Sequence, residues 1–220
     1  MAIDKTGKTL ANFNVKNGQY AVDSTIASLT WLTRFSKEKN LSIKTIYGDG
    51  EIQANIVNDK GFTGTIGLTA QDLEYNKALG FMMDIDGGLA EIRQVSQVNH
   101  TLYFETEMMI AGVSKLKKVW VFGVETSAPS ESLDQTTEDI NENIVEYAIT
   151  VKGINLKNSA GDADYVDPIT GKNVKVFTYS KMPTDAGYAT FGDSIPVPKM
   201  PTPPEPEEPG EGGEGGEGGE

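Results

Sequence analysis

The stretch Glu51-Ile52-Gln53-Ala54-Asn55-Ile56-Val57-Asn58-Asp59-Lys60-Gly61-Phe62-Thr63-Gly64-Thr65-Ile66-Gly67-Leu68 alternates apolar and polar side chains twice. Ile52, Ala54 and Ile56 fall on even positions, and beyond the Asp59-Lys60-Gly61 triplet so do Phe62, Ile66 and Leu68. Glu51, Gln53, Asn55, Thr63, Thr65 and Thr69 fall on odd ones. Successive side chains of a strand point to opposite faces. The pattern therefore predicts a hairpin turning at Asp59-Lys60-Gly61, with Gly61 in the left-handed region, one greasy face and one wet face. An ordinary antiparallel hairpin with one solvated face satisfies the same pattern.

Working outward, 26–35 and 41–47 read as two further strands joined by the charged turn Ser36-Lys37-Glu38-Lys39-Asn40. Leu29, Trp31, Phe35, Leu41, Ile43 and Tyr47 share odd parity, the mark of a half-buried sheet. A helix is predicted over 70–79, with Thr69 as its N-cap, Gly80 ending it in the left-handed region, and Leu73, Ala78 and Leu79 facing the sheet. More strands are expected over 89–98, 101–110, 116–125, 144–156 and 174–179, with the nearly continuous apolar run 119–124 central. The first 25 residues look like an arm containing a short strand at 9–15. Five acidic residues and no basic one lie between Thr126 and Asn143, in a polar stretch long enough to be functional.

The 220 residues suffice for one domain with a sizeable core, expected over 1–195. From 196 to 220 the composition turns to Pro, Glu and Gly, which cannot bury enough surface to order, so an acidic disordered tail is expected. Seven glutamates follow Lys199; removing them from the net charge of −13 leaves −6 for the body. An acidic body argues against tight binding of phosphate backbones, which needs Lys and Arg to neutralise them. Cysteine is absent, so disulfides and thiolate metal sites are excluded. The N-terminal residues carry no apolar signal-like core and no stretch approaches a membrane span, so neither export nor membrane partnership is expected.

Catalytic chemistry finds little support. His100 is the single histidine and is expected to be structural. There is no Gly-x-Ser-x-Gly elbow. Asp84-Ile85-Asp86-Gly87-Gly88 lacks ligands that a calcium loop needs and reads as a tight turn between helix and strand. Trp31, Tyr103, Phe104 and Trp120 have no interleaved basic residues and are expected in the core rather than in a base-stacking platform. Lys115, Lys117 and Lys118 form the one basic cluster, either a solvated turn or a patch for an acidic neighbouring subunit. No catalytic, cofactor-binding or metal residue is therefore assigned, and an enzyme is not expected.

The segments Tyr47-Gly48-Asp49-Gly50-Glu51, Asn58-Asp59-Lys60-Gly61-Phe62-Thr63-Gly64 and Thr69-Ala70-Gln71-Asp72-Leu73-Glu74 resemble the major tail protein of long, non-contractile-tailed bacteriophages (siphophages). The similarity continues through Leu79-Gly80-Phe81, the strands at 100–109 and 115–125, and Tyr188-Ala189-Thr190-Phe191-Gly192-Asp193. The elements imply a mainly β fold, an antiparallel sandwich or partly closed barrel with one flanking helix. The resemblance implies a virion protein, assembled in the host cytoplasm, whose six-membered rings stack into a tail tube. It further implies tape-measure and tail-terminator proteins as partners, and DNA that passes without sticking. Glu51, Gln53, Asn55, Thr63, Thr65 and Thr69 are then candidates to line the lumen. The alternatives are a monomeric binding or decoration domain and the tube protein of a contractile secretion machine.

Overall fold

The computed structural model describes residues 2–3, 9–49, 51–110, 112–130 and 144–201. The chain runs through β1 (Ala2–Ile3), β2 (Thr9–Val22), β3 (Thr25–Ser28), β4 (Leu32–Gly48), β5 (Glu51–Leu68) and the helix α1 (Leu73–Ala78). It continues through β6 (Met82–Ile85), β7 (Gly88–Glu91), β8 (Asn99–Ile110), β9 (Val113–Thr126) and β10 (Val145–Val151). The last elements are β11 (Ile154–Asn155), β12 (Lys175–Val176) and β13 (Thr178–Lys181).

The main sheet is antiparallel throughout, in the order β1-β2-β8-β9-β10-β5-β4, with β3 added on β2 and β13 on β9. It does not close, and β4 is an edge strand with no further strand paired to it among the described residues. β9 accounts for the curl, because β10 pairs with its end at 124–126 while β13 pairs with 118–121. Its apolar run is buried on both sides. Val119 and Val121 join one cluster with Ile66, Leu68, Leu102, Tyr147 and Val151, whereas Trp120 and Phe122 join a second with Tyr103 and Phe191. A strand covered on both faces has no position for a polar side chain, hence the unbroken run.

Four local expectations are corrected. The helix begins at Leu73, and its N-cap is Asp72 rather than Thr69: the Asp72 carboxylate accepts from the Tyr75 amide at 3.1 Å and from the Thr30 amide and hydroxyl at 2.9 and 2.8 Å. A charged acceptor that serves both a helix end and a neighbouring loop displaces a neutral cap. Leu73 faces solvent, whereas Ala78 and Leu79 pack into the core as expected and Tyr75 joins them. Asp84–Gly88 is a turn between two short strands, with Asp86 and Gly87 both at positive φ. The strand expected over 89–98 stops at Glu91.

The segment beyond Ile195 is partly anchored. The Lys157 amide donates to Pro198 O at 3.0 Å, and the Met200 amide donates to Lys157 O at 2.9 Å. The chain is thus held to the body as far as Met200; of the tail expected over 196–220, residues 202–220 lie outside the described residues, as does 131–143 of the acidic stretch.

Candidate assembly surface

The main departure from the sequence pattern concerns β4 and β5. Ser36–Asn40 is not a turn and neither is Asp59-Lys60-Gly61, because each lies inside one long strand, of 17 and 18 residues. The reversal falls between Gly48 and Glu51, the last registered pair. Four short strands are thus replaced by one long hairpin.

Gly61 explains the misreading. It does have the positive φ expected of it, 88°, but as part of a bulge: Lys39 pairs with Phe62 and Leu41 with Asp59, so β5 uses one residue more than β4. A Cβ at Gly61 would stand 2.1 Å from Val151 O, so the site is closed to other side chains in conformation and in space. The extra residue reverses parity. Val57 and Asn55 now share a face with Phe62, Ile66 and Leu68, whereas Thr63 and Thr65 lie on the other. Gln53 is the extra residue of a second bulge, and its Nε2 donates to Gly48 O at 3.1 Å. The six residues expected to form one wet face are therefore divided. Thr63 and Thr65 lie on the outer surface of the sheet, Glu51, Gln53 and Asn55 ride on the hairpin's outer half, and Thr69 follows β5 with its amide donated to Trp31 O at 3.1 Å.

β10 accompanies β5 only from Phe62 to Leu68. Beyond that point residues 41–59 form a two-stranded ribbon with no third strand paired to it among the described residues, only the segment 172–177 standing beside its root at 57–59, and at about 3.4 Å per residue its eight residues of β4 reach roughly 25 Å past the sheet. The arm is apolar as well as exposed. Leu41, Ile43, Ile46, Tyr47, Ile52, Ile56 and Val57 keep between 40 and 69 % of their surface in water. Ile43 faces Val57 and Tyr47 faces Ile52 across the strands, while Ile46 and Ile56 lie on the opposite side, so neither face is polar. A lone two-stranded ribbon is marginally stable in water, and a contiguous apolar patch on a soluble chain marks a site of association.

The root of the arm is held firmly. Lys39 Nζ is 2.6 Å from the Asp59 carboxylate and lies over the Phe62 and Phe177 rings, at 4.5 and 4.7 Å from their centroids. The Asp59 carboxylate also accepts the Gly61 amide at 2.9 Å, and these two bonds hold it below the usual carboxylate range.

The outer face of β4, β5 and β10 is polar and weakly acidic. Arg34 pairs with Glu146 at 2.9 Å and Lys152 with Glu125 at 2.7 Å, and Ser36 and Thr65 share a hydrogen bond of 2.8 Å. Thr63 stands between Glu38 and Thr150. Where β4, β5 and β10 run side by side, both cations are therefore matched by carboxylates and Glu38 is the excess charge; Lys44, further along the same face of β4 on the arm, has no carboxylate within 4.0 Å among the described residues.

The other residues singled out by the sequence fall mostly in the core. His100 is buried, with Nδ1 donating to Val98 O at 3.3 Å and Nε2 accepting from the Tyr75 hydroxyl at 2.9 Å. Burial pushes its pKa down to about 4. Its hydrogen-bond partners include no carboxylate. Tyr103, Phe104 and Trp120 are core residues, whereas Trp31, expected there too, is 63 % exposed at φ 64°. Trp31 sits in the turn between β3 and β4, where its odd parity says nothing about burial. Among the described residues no group of three or more acidic or histidine side chains is placed to hold a metal ion, and no helix is long and apolar enough to cross a membrane.

No protein-family model matches the chain, and no curated protein matches it. Among solved structures it is similar to a chain of the anti-feeding prophage baseplate, determined by cryo-EM with six-fold symmetrisation. The two share 9 % identity at a TM-score of 0.35, over 69 % of this chain and 93 % of the other.

Proposed function

We propose that the protein is a structural subunit of a phage tail, and that it assembles into six-membered rings stacked as a tube through which DNA leaves the capsid. The observation that carries this reading is the arm at 41–59, an apolar ribbon that stays largely exposed. A chain that exposes such a ribbon together with the β4 edge gains most when further copies satisfy both, and closed rings satisfy every edge at once. The resemblance of the Tyr47–Glu51, Asn58–Gly64 and Thr69–Glu74 segments to siphophage major tail proteins supplies the particular assembly.

The weakly acidic outer face of β4, β5 and β10 suits a lumen. Each phosphate neutralised adds affinity, so a channel for DNA needs a wet wall with few unmatched cations. Thr63 and Thr65, with Ser36, Glu38 and Thr150, are the residues proposed to line it. Glu51, Gln53 and Asn55 are proposed to lie at the contact between copies instead. Tape-measure and terminator proteins would be its partners in the tail. Electron microscopy of the concentrated full-length chain tests the proposal: rings or tubes with six-fold symmetry support it, and a protein that stays monomeric at every salt concentration and protein concentration refutes it.

A further inference from the structure

Between β2, β4, β8, β9 and β13 lies an open cavity of about 370 Å³. Its floor is apolar, with Val15, Phe35, Phe104 and Val119, and two lysines, Lys37 and Lys117, stand over it. Neither lysine has a carboxylate within 4.0 Å among the described residues, although other lysines, 16, 39, 77, 152 and 157, do. Lys37 has only a long hydrogen bond to Thr178 Oγ1, at 3.4 Å, and the Phe62 ring, at 4.7 Å. Its pKa is lowered by burial first and then by the charges of Lys117 and Lys39. Two cations held together over an apolar floor with no anion favour any ligand that brings a carboxylate next to a hydrophobic group.

The chain carries such a ligand at the tip of its arm. Tyr47 and Ile52 are 69 and 60 % exposed, and Asp49 and Glu51 are exposed beside them. The tip cannot reach the cavity of its own chain. β4 runs as one strand from Lys37 to Gly48, which separates them by roughly 35 Å. We infer that the arm tip of one copy docks in the Lys37–Lys117 cavity of another, with Tyr47 or Ile52 on the apolar floor and Asp49 and Glu51 against the two lysines. This rests on the self-assembly proposed above, and adds where the arm lands.

The chain has no cysteine, so the contact can be trapped between two full-length single variants. Glu51→Cys mixed with Lys117→Cys under mild oxidation is expected to give about tenfold more mixed disulfide than Glu51→Cys mixed with Arg93→Cys, because docking raises the local thiol concentration. Equal yields, or a preference of Glu51→Cys for itself, overturn the assignment. A charge exchange gives an independent answer. Lys37→Glu with Lys117→Glu should weaken self-association by about tenfold or more, and mixing with the Asp49→Lys, Glu51→Lys chain should restore it. Weakening without rescue gives the cavity to another acidic segment and overturns the arm. Tubes that form without the disulfide refute the docking site and leave the tube; the disulfide without six-fold rings does the reverse.

Discussion

Replacing Ile43, Tyr47, Ile52 and Val57 together by Thr, Ser, Thr and Thr should abolish assembly and leave the subunit folded. These four side chains form two facing pairs on one side of the arm and are 59 to 69 % exposed. Full burial of a large apolar side chain is worth about 1.5–3 kcal/mol, so covering the part now in water would contribute about 1–2 kcal/mol at each position. Association costs offset much of the sum, and a net loss of about 3 kcal/mol corresponds to self-association weaker by roughly 100-fold. In the free subunit the same changes lie on an exposed ribbon, where each costs no more than about 0.5 kcal/mol. Sedimentation velocity over a dilution series reads the first effect, and calorimetric unfolding reads the second. Unchanged association would show that the arm is not the contact. A collapse of the unfolding midpoint would show that it packs within its own chain.

Gly61→Ala should destabilise the fold by about 1–3 kcal/mol or more, because the position combines positive φ with the close Val151 carbonyl. Gly87→Ala, also at positive φ but with nothing within 4 Å, should cost less, and urea unfolding of the two variants compares them. His100 makes stability depend on pH. Its folded pKa, about 4, lies below the ordinary 6.5, so the unfolded chain binds the proton more readily. Stability is fully present above pH 6.5, falls as pH drops through the interval, and has lost about 3 kcal/mol from this group below pH 4. A His100→Gln chain should lack that slope between pH 6.5 and 4; an identical slope in both chains would assign the loss to other groups. Thr63→Lys with Ala148→Lys adds two cations to the outer face at exposed positions and should leave the unfolding midpoint nearly unchanged. Virions carrying it should eject DNA more slowly, and a normal ejection rate would mean that this face does not line the channel.

How far the sequence led depended on how local each signal is. The strands β8 and β9 stand close to their expected bounds, because alternation and the unbroken run at 119–124 report burial directly. The mainly antiparallel β architecture with one short helix was likewise legible. Parity failed at β5 because it carries no information across a bulge. Asp59-Lys60-Gly61 has the composition of a turn, and only the pairing of Leu41 with Asp59 and Lys39 with Phe62 distinguishes a bulged strand from a hairpin. The charged segment Ser36–Asn40 misled for a related reason. Its polar side chains belong to an edge strand with a solvated face, while Lys37 turns inward over the cavity and Lys39 stacks on Phe62. Asp72 was missed as the cap because its second partner, Thr30, is remote in sequence. The arm could have been suspected from Tyr47-Gly48-Asp49-Gly50-Glu51, whose Gly and Asp residues suit a hairpin tip.

The central claim is that the exposed ribbon exists to be covered by other copies of the same chain. Cryo-electron microscopy of the concentrated full-length protein tests it most directly. Rings of six that stack into tubes are expected, with residues 41–59 of each subunit buried against a neighbour and Thr63 and Thr65 facing the lumen. Particles that remain single subunits at all concentrations, or rings in which residues 41–59 project free into solvent, would contradict it.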